Sequence, residues 1–320
     1  MPRLLAAACC AAFLHAPSMA QEALAVTSYT PTQFSDILDG RFRQSPVALA
    51  GKLFVPPGIA PPLPAVVVMH GSGGIRAGDH DVVQALLQAG IAALLLDSFG
   101  GRGLSSTGAD QGRLSTAATA IDGFAALLAL RARPDIDPQR IGIAGFSRGG
   151  IAAIFTQQAP LRDAALGAAP GYRAHAALYP SCAAQWEQVV PAASPILFLL
   201  GEKDDLSPAA KCVAYADRIR QAGGRAQAIV YPGASHQFLE PGPEWRGRTQ
   251  NYAACDYVIR PGGEMVYAKT GLVAGADWAA FAHQVFRDCG KWGFTHGGTR
   301  DSREQALRDL TDFFRAQLAR

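Results

Sequence analysis

The chain has no run of consecutive basic residues, no C-x-x-C pair, no H-E-x-x-H motif, no internal repeat, and no apolar stretch long enough to cross a bilayer. Each absence removes a class of function. With 29 Lys and Arg scattered against 26 Asp and Glu, the formal charge is only +3, and a nucleic-acid partner has no electrostatic footprint. Without the metal-ligand spacings there is no reason to expect zinc, and neither a metal nor a cofactor is implied. Charged residues are themselves scarce, at 17% against 49% hydrophobic, so a disordered chain is excluded and a sizeable core must be buried within the 320 residues.

The longest apolar run near the N-terminus follows Arg3, spans Leu4 to Phe13, and leads to Ser18-Met19-Ala20. It is shorter than the roughly 20 residues a spanning helix needs, and small residues flank a cleavage point before Gln21. Residues 1–20 are therefore expected to be a signal peptide. Cys9 is a poor lipid-attachment site, because Ala6 stands where a large aliphatic residue is needed. The mature protein is expected to be exported, periplasmic or extracellular, with no membrane span. Cys9 and Cys10 leave with that leader, and Cys182, Cys212, Cys255 and Cys289 enter an oxidising compartment as an even set. Cys182 follows one strand and Cys212 lies early in the helix after the next, so they are expected to pair, leaving Cys255 with Cys289.

From Ala65 onward, short apolar runs alternate with helical spacing, the pattern of an α/β fold with a mostly parallel sheet and helices on both faces. Strands are expected at Ala65 to Met69, Ile91 to Leu96, Arg140 to Phe146, Ala174 to Tyr179, Pro195 to Leu200 and Ala226 to Tyr231, with helices at Leu114 to Ala132 and Ala209 to Gln221. Val47 to Val55 alternates as an antiparallel strand would, and the proline-rich stretch to Pro64 reads as a connection. Ser302 and Gln305 suggest a capping box for a last helix that presents Leu307, Leu310, Phe314 and Leu318 on one face. Residues 21–320 are read as one catalytic domain, elaborated at about 240–300.

Gly145-Phe146-Ser147-Arg148-Gly149 is a G-x-S-x-G pentapeptide set between an expected strand and an expected helix. Small residues there permit a sharp turn that lifts the serine hydroxyl off the sheet and aims a helix N-terminus at a developing oxyanion. A serine needs an imidazole base, and the base needs a carboxylate to orient it. One later strand runs into Gly201-Glu202-Lys203-Asp204-Asp205, the next into Pro232-Gly233-Ala234-Ser235-His236, so acid and histidine candidates reach the same sheet edge as Ser147. Asp204 and Asp205 are not separated by this placement, since either can cap the following helix. The first strand exits into His70-Gly71-Ser72-Gly73-Gly74, whose Ser72 amide, with that of Arg148, is the candidate oxyanion hole; His70 is expected to brace the loop.

These motifs together resemble the α/β-hydrolase superfamily and, within it, the dienelactone hydrolase family, from about Val47 to the C-terminus. The resemblance rests on H-G-S-G-G at 70–74, G-F-S-R-G-G at 145–150, G-E-K-D-D-L-S-P at 201–208 and Y-P-G-A-S-H at 231–236. It implies that the aspartate of G-x-x-D, Asp204, is the acid. Type members of that family attack with cysteine; Ser147 stands here instead, and serine-bearing relatives look like general esterases. The implied activity is hydrolysis of a small carboxylic ester, with thioester or peptide cleavage by the same residues as the alternative.

Two other classes compete with this reading. Gly71-Ser72-Gly73 after a strand, with Asp97 ending the next, mimics a dinucleotide-binding unit, but the third fingerprint glycine falls on Arg76, and Ser147, Asp204 and His236 would have no role in an oxidoreductase. A noncatalytic binding protein on the same fold would fail to react with a serine-directed phosphonate. The loop Ser98 to Arg113 is expected to line the site with polar groups. The long segment after His236, carrying Trp245, Tyr252, Tyr257, Tyr267, Trp278, Phe281 and Trp292, is expected to fold over the site as a lid or wall.

Overall fold

The computed structural model describes residues 20–319, so the leader reading lies outside the described residues apart from its last position. In chain order the elements are β1 (Ala20–Tyr29), α1 (Phe34–Leu38), β2 (Pro46–Val55), β3 (Leu63–Met69), α2 (Ala77–Gln88), β4 (Ala92–Asp97) and α3 (Thr116–Arg131). They continue with β5 (Ile136–Phe146), α4 (Arg148–Thr156), α5 (Ala159–Leu166), β6 (Ala174–Leu178), β7 (Ala184–Trp186), β8 (Ile196–Gly201), α6 (Ala209–Gln221) and β9 (Ala226–Tyr231). The C-terminal part holds β10 (Trp245–Asn251), β11 (Tyr257–Ile259), β12 (Met265–Tyr267), α7 (Trp278–Cys289), β13 (Lys291–His296) and α8 (Arg300–Gln317).

Eight strands form the central sheet in the order β1-β2-β4-β3-β5-β6-β8-β9. β2 runs against both its neighbours, and every pair from β4 to β9 is parallel. β3, β4, β6 and β8 are nearly continuous apolar runs because both their faces are covered, whereas β9 at the sheet edge is half-buried. Val67 and Met69 of β3 and Phe198 of β8 point into one core with α3, α4 and α6. Val66 and Val68, with Leu197 and Leu199, point into the other, against α2 and α8. The chain reverses its winding direction at β3, which lies between β4 and β5; in such sheets the crevice at the carboxyl ends of the strands is where ligands bind.

Two sequence expectations need correction here. β1 had no counterpart in the sequence reading, yet it pairs along its whole length with β2, from Ala20 opposite Val55 to Tyr29 opposite Pro46. The cap of α8 is Thr299 rather than Ser302: Thr299 Oγ1 accepts from the Ser302 amide at 3.0 Å, and Ser302 Oγ donates back to the Thr299 carbonyl at 2.9 Å. The helix starts a turn early because Thr299 already satisfies a first-turn amide, and Gln305 bonds Asp309 instead of closing a box.

Both expected disulfides are present, Cys182 to Cys212 and Cys255 to Cys289. They fit a compartment outside the reducing cytoplasm. No helix among the described residues is long and apolar enough to cross a membrane.

Candidate active site

β5 ends at Phe146 and α4 starts at Arg148, so Ser147 alone makes the turn, with φ 51°. Glycine is required on either side of it. A Cβ on Gly145 would lie 2.0 Å from the Gly149 carbonyl oxygen, and one on Gly149 would lie 2.1 Å from that of Met69. Besides Ser147, the only non-glycine residues with positive φ among the described residues are Tyr179 and Gln237. Tyr179 follows β6 and packs edge-on to the His236 ring at 5.1 Å, while Gln237 follows His236 itself. Backbone strain is thus gathered around one point of the molecule.

At that point three side chains form a line. His236 Nε2 lies 3.1 Å from Ser147 Oγ, and His236 Nδ1 lies 2.7 Å from Asp204 Oδ2. The carboxylate holds the ring proton on Nδ1, which leaves Nε2 free to accept the serine proton. Asp204 Oδ1 accepts the Leu206 and Ser207 amides at 3.0 and 2.7 Å, so this buried carboxylate is fixed in direction. Asp205 points elsewhere. It accepts from the Thr295 amide at 2.8 Å and from Thr295 Oγ1 at 3.2 Å, and so tethers β13. Geometry thereby separates the two aspartates, which sequence spacing alone did not.

The Arg148 amide is the first of α4, a position without an intrahelical acceptor. Ser72 lines the same cavity as Ser147, and its carbonyl is held by the Thr107 amide at 2.8 Å and Ser106 Oγ at 2.9 Å. His70 stands behind this loop: Nδ1 donates to the Gly71 carbonyl at 2.8 Å, and Nε2 accepts from the Ser98 amide at 3.1 Å. Burial pushes its imidazole below the ordinary pKa, consistent with a neutral brace. Asp97 accepts the Phe99 and Gly100 amides at 2.8 and 3.0 Å and shapes the turn after β4.

The cavity above Ser147 is about 370 Å³. Ser106, Gly108 and Gln111 of the 98–113 loop form one side, and the segment after His236 supplies Tyr252, Tyr257, Trp278 and Phe281. Trp292 and Tyr267 do not reach it. Trp292 stacks edge-on with Phe286, and Tyr267 is buried beside Asp288. Sequence reasoning missed His296, which also lines the cavity. It stacks on Trp245 with ring centroids 3.9 Å apart, and burial, then the neighbouring His236 and Arg76, hold its pKa down to about 4. Nothing in Thr295-His296-Gly297 announces such a place; only the pairing of β10 with β13 brings it there.

Comparison with known proteins gives a consistent picture. The model of the dienelactone hydrolase family matches residues 49–260. A Bradyrhizobium protein described as a 2-oxo-3-(5-oxofuran-2-ylidene)propanoate lactonase is 28% identical over 184 residues, 56% of this chain and 74% of its own length. An uncharacterised protein of Mycobacterium tuberculosis is 30% identical over 194 residues, 55% of this chain but only 64% of its own. Among solved structures, one described as a dienelactone hydrolase from Klebsiella pneumoniae superposes with TM-score 0.55 at 18% identity, covering 92% of this chain and 98% of that one. A dienelactone hydrolase-like promiscuous phosphotriesterase from metagenomic libraries gives 0.50 at 21% identity, covering 85% and 100%. At these identities the structures speak for the fold alone.

Proposed function

The chain belongs to the dienelactone hydrolase family, and from that premise we propose that it is an exported serine esterase that cleaves a small carboxylic ester through an acyl-enzyme. The observation carrying this reading is the unbroken line from Asp204 through His236 to Ser147, opening on a cavity large enough for a small ester.

In the mechanism, His236 Nε2 takes the Ser147 proton as Oγ attacks the ester carbonyl. The new oxyanion is held by the Arg148 and Ser72 amides, with the N-terminal dipole of α4 behind the first. Collapse of the tetrahedral intermediate expels the alcohol, which takes its proton from His236. Water then repeats the sequence on the acyl-enzyme and frees the acid. Asp204 keeps the imidazole in the tautomer both halves require.

The residues from about 240 to 300 are the wall or lid of this site, and the aromatic side chains among them that line the cavity receive the acyl group. A panel of chromogenic esters graded in acyl length, with lactone, thioester and amide counterparts, tests the reading. Turnover of esters and lactones well above the amides is expected; a chain that cleaves the amides best would overturn it.

A further inference from the structure

Two arginines bring largely buried side chains against α3, and they are treated differently. Arg102 is clamped by Asp122, Nη1 to Oδ2 at 2.8 Å and Nη2 to Oδ1 at 2.9 Å. Arg148 is only 6% exposed and, among the described residues, has no such partner. Its Nη1 donates to the Leu114 carbonyl at 2.9 Å and Thr119 Oγ1 at 3.4 Å, and its Nη2 to the carbonyl and Oε1 of Gln111 at 3.3 and 2.6 Å. All four acceptors are neutral, and Nε is buried without a partner. Burial draws the guanidinium pKa down to about 10, which leaves it charged at neutral pH.

An unpaired buried ion is costly, and an apolar side chain of similar length would avoid that cost. Nor is Arg148 a clamp for an anionic substrate: its four Nη hydrogens are already committed, and Nε is sealed from the cavity. It reaches the reaction through Gln111. Gln111 Oε1 also accepts from Ser72 Oγ at 3.1 Å and Thr107 Oγ1 at 3.3 Å, so a single amide oxygen joins the residue after the nucleophile to the loop after β3. The backbone of Gln111 is fixed in turn by the segment after His236, its amide donating to Gln250 Oε1 at 2.8 Å.

Resting on the acyl-enzyme reading above, we propose that the Arg148 side chain is a positioning residue: through Gln111 it sets the Ser72 loop against the start of α4, and its unbalanced charge is matched only when the oxyanion forms. A cation that gains its counter-charge in the transition state favours that state over the bound ester. The lack of a carboxylate beside Arg148 is then what makes it useful.

Gln111→Glu tests this by giving the guanidinium a carboxylate with almost no change of shape. The expected result is a kcat lower by roughly tenfold to a hundredfold, with KM within about threefold and an equal or higher melting temperature. Affinity for a boronic acid that forms a charged tetrahedral adduct should fall in step with kcat. A variant with unchanged kcat, or one whose only loss is in KM, overturns the proposal. If Gln111→Glu does not fold, Arg148→Met decides, with wild-type kcat overturning the proposal and a kcat loss that Arg148→Lys partly restores supporting it. Ser147→Ala, measured alongside, separates the two readings. If it still turns over, the acyl-enzyme reading falls; if it is dead while Gln111→Glu is unimpaired, only the role of Arg148 falls.

Discussion

In the sheet, the groups that meet at the cavity arrive on ladders whose register fixes them: Phe146 lies opposite Leu178, and Gly201 opposite Tyr231, so Ser147, Asp204 and His236 emerge from strand ends along one edge of the sheet, β5 separated from β8 and β9 by β6 alone. The excursion between His236 and α8 has no comparable frame. Its β11 and β12 are three residues each, and the β10–β13 ribbon slips register between Gly247 and Gln250. It is held by discrete ties instead, namely the Cys255–Cys289 bridge, Asp205 on Thr295, Asn251 Nδ2 on the Asp205 carbonyl at 3.0 Å, and His283 on Asp110 at 2.9 Å. The difference teaches a division of labour. The sheet places Ser147, Asp204 and His236, and the excursion supplies aromatic surface to the cavity beside them.

The comparison breaks most visibly at the two adjacent aspartates, one serving each region. Asp204→Asn should lower kcat by about 10³ to 10⁴ through the wrong histidine tautomer, while Asp205→Asn should change kcat little and lower the melting temperature. Equal kinetic losses in both would erase the distinction. Next in size is the excursion's own bridge. Cys255→Ser with Cys289→Ser opens a loop of 34 residues in sequence separation, and should cost about 3 to 4 kcal/mol in denaturant unfolding. A negligible cost would mean that the excursion is held by packing alone.

The seam between the regions gives a pH signature. Asp79, on α2, is buried and accepts the Arg76 amide; burial, followed by the charge of Glu240, raises its pKa to about 7, and Glu240 itself bonds the Gly78 amide at 3.3 Å. A carboxyl whose folded pKa is raised keeps its proton longer when folded, so stability falls as pH rises from the unfolded value near 4 through about 7. Asp79→Asn should therefore match the wild type near pH 4 and exceed it by about 2 to 4 kcal/mol at pH 8. A stability difference independent of pH would contradict this. Smallest is Trp278→Ala, expected to shift acyl-chain preference by roughly tenfold with little change in melting temperature, since the residue lines the cavity at a partly exposed position. Lost stability with unchanged preference would assign Trp278 to the core.

The same division explains what could be read from the sequence. β3, β4, β5, β6 and β8 were legible because strands buried on both faces carry continuous apolar runs, β9 was legible by its spacing at the sheet edge, the three-residue β7 gave no such signal, and α6 was expected and found at Ala209–Gln221. The three residues that meet at the cavity were legible because they follow strand ends, where a sharp turn demands recognisable glycines, as at Gly145 and Gly149. β10, reading Trp-Arg-Gly-Arg-Thr-Gln-Asn, has neither an apolar run nor a clean alternation, and exists through its pairing with β13 some 40 residues later. β1 has the alternation of an edge strand but directly follows the expected leader, where apolar residues already had an explanation. The link from Arg148 to Ser72 depends on Gln111, a contact spanning 37 residues on one side and 39 on the other, and no local pattern encodes it.

The central claim is that Ser147 is a nucleophile activated by His236. Treatment with a fluorophosphonate followed by peptide mapping tests it directly. The account predicts a single adduct, on Ser147, formed far more slowly in His236→Ala. An unlabelled protein, an adduct on another residue, or labelling at the same rate without His236 would contradict it.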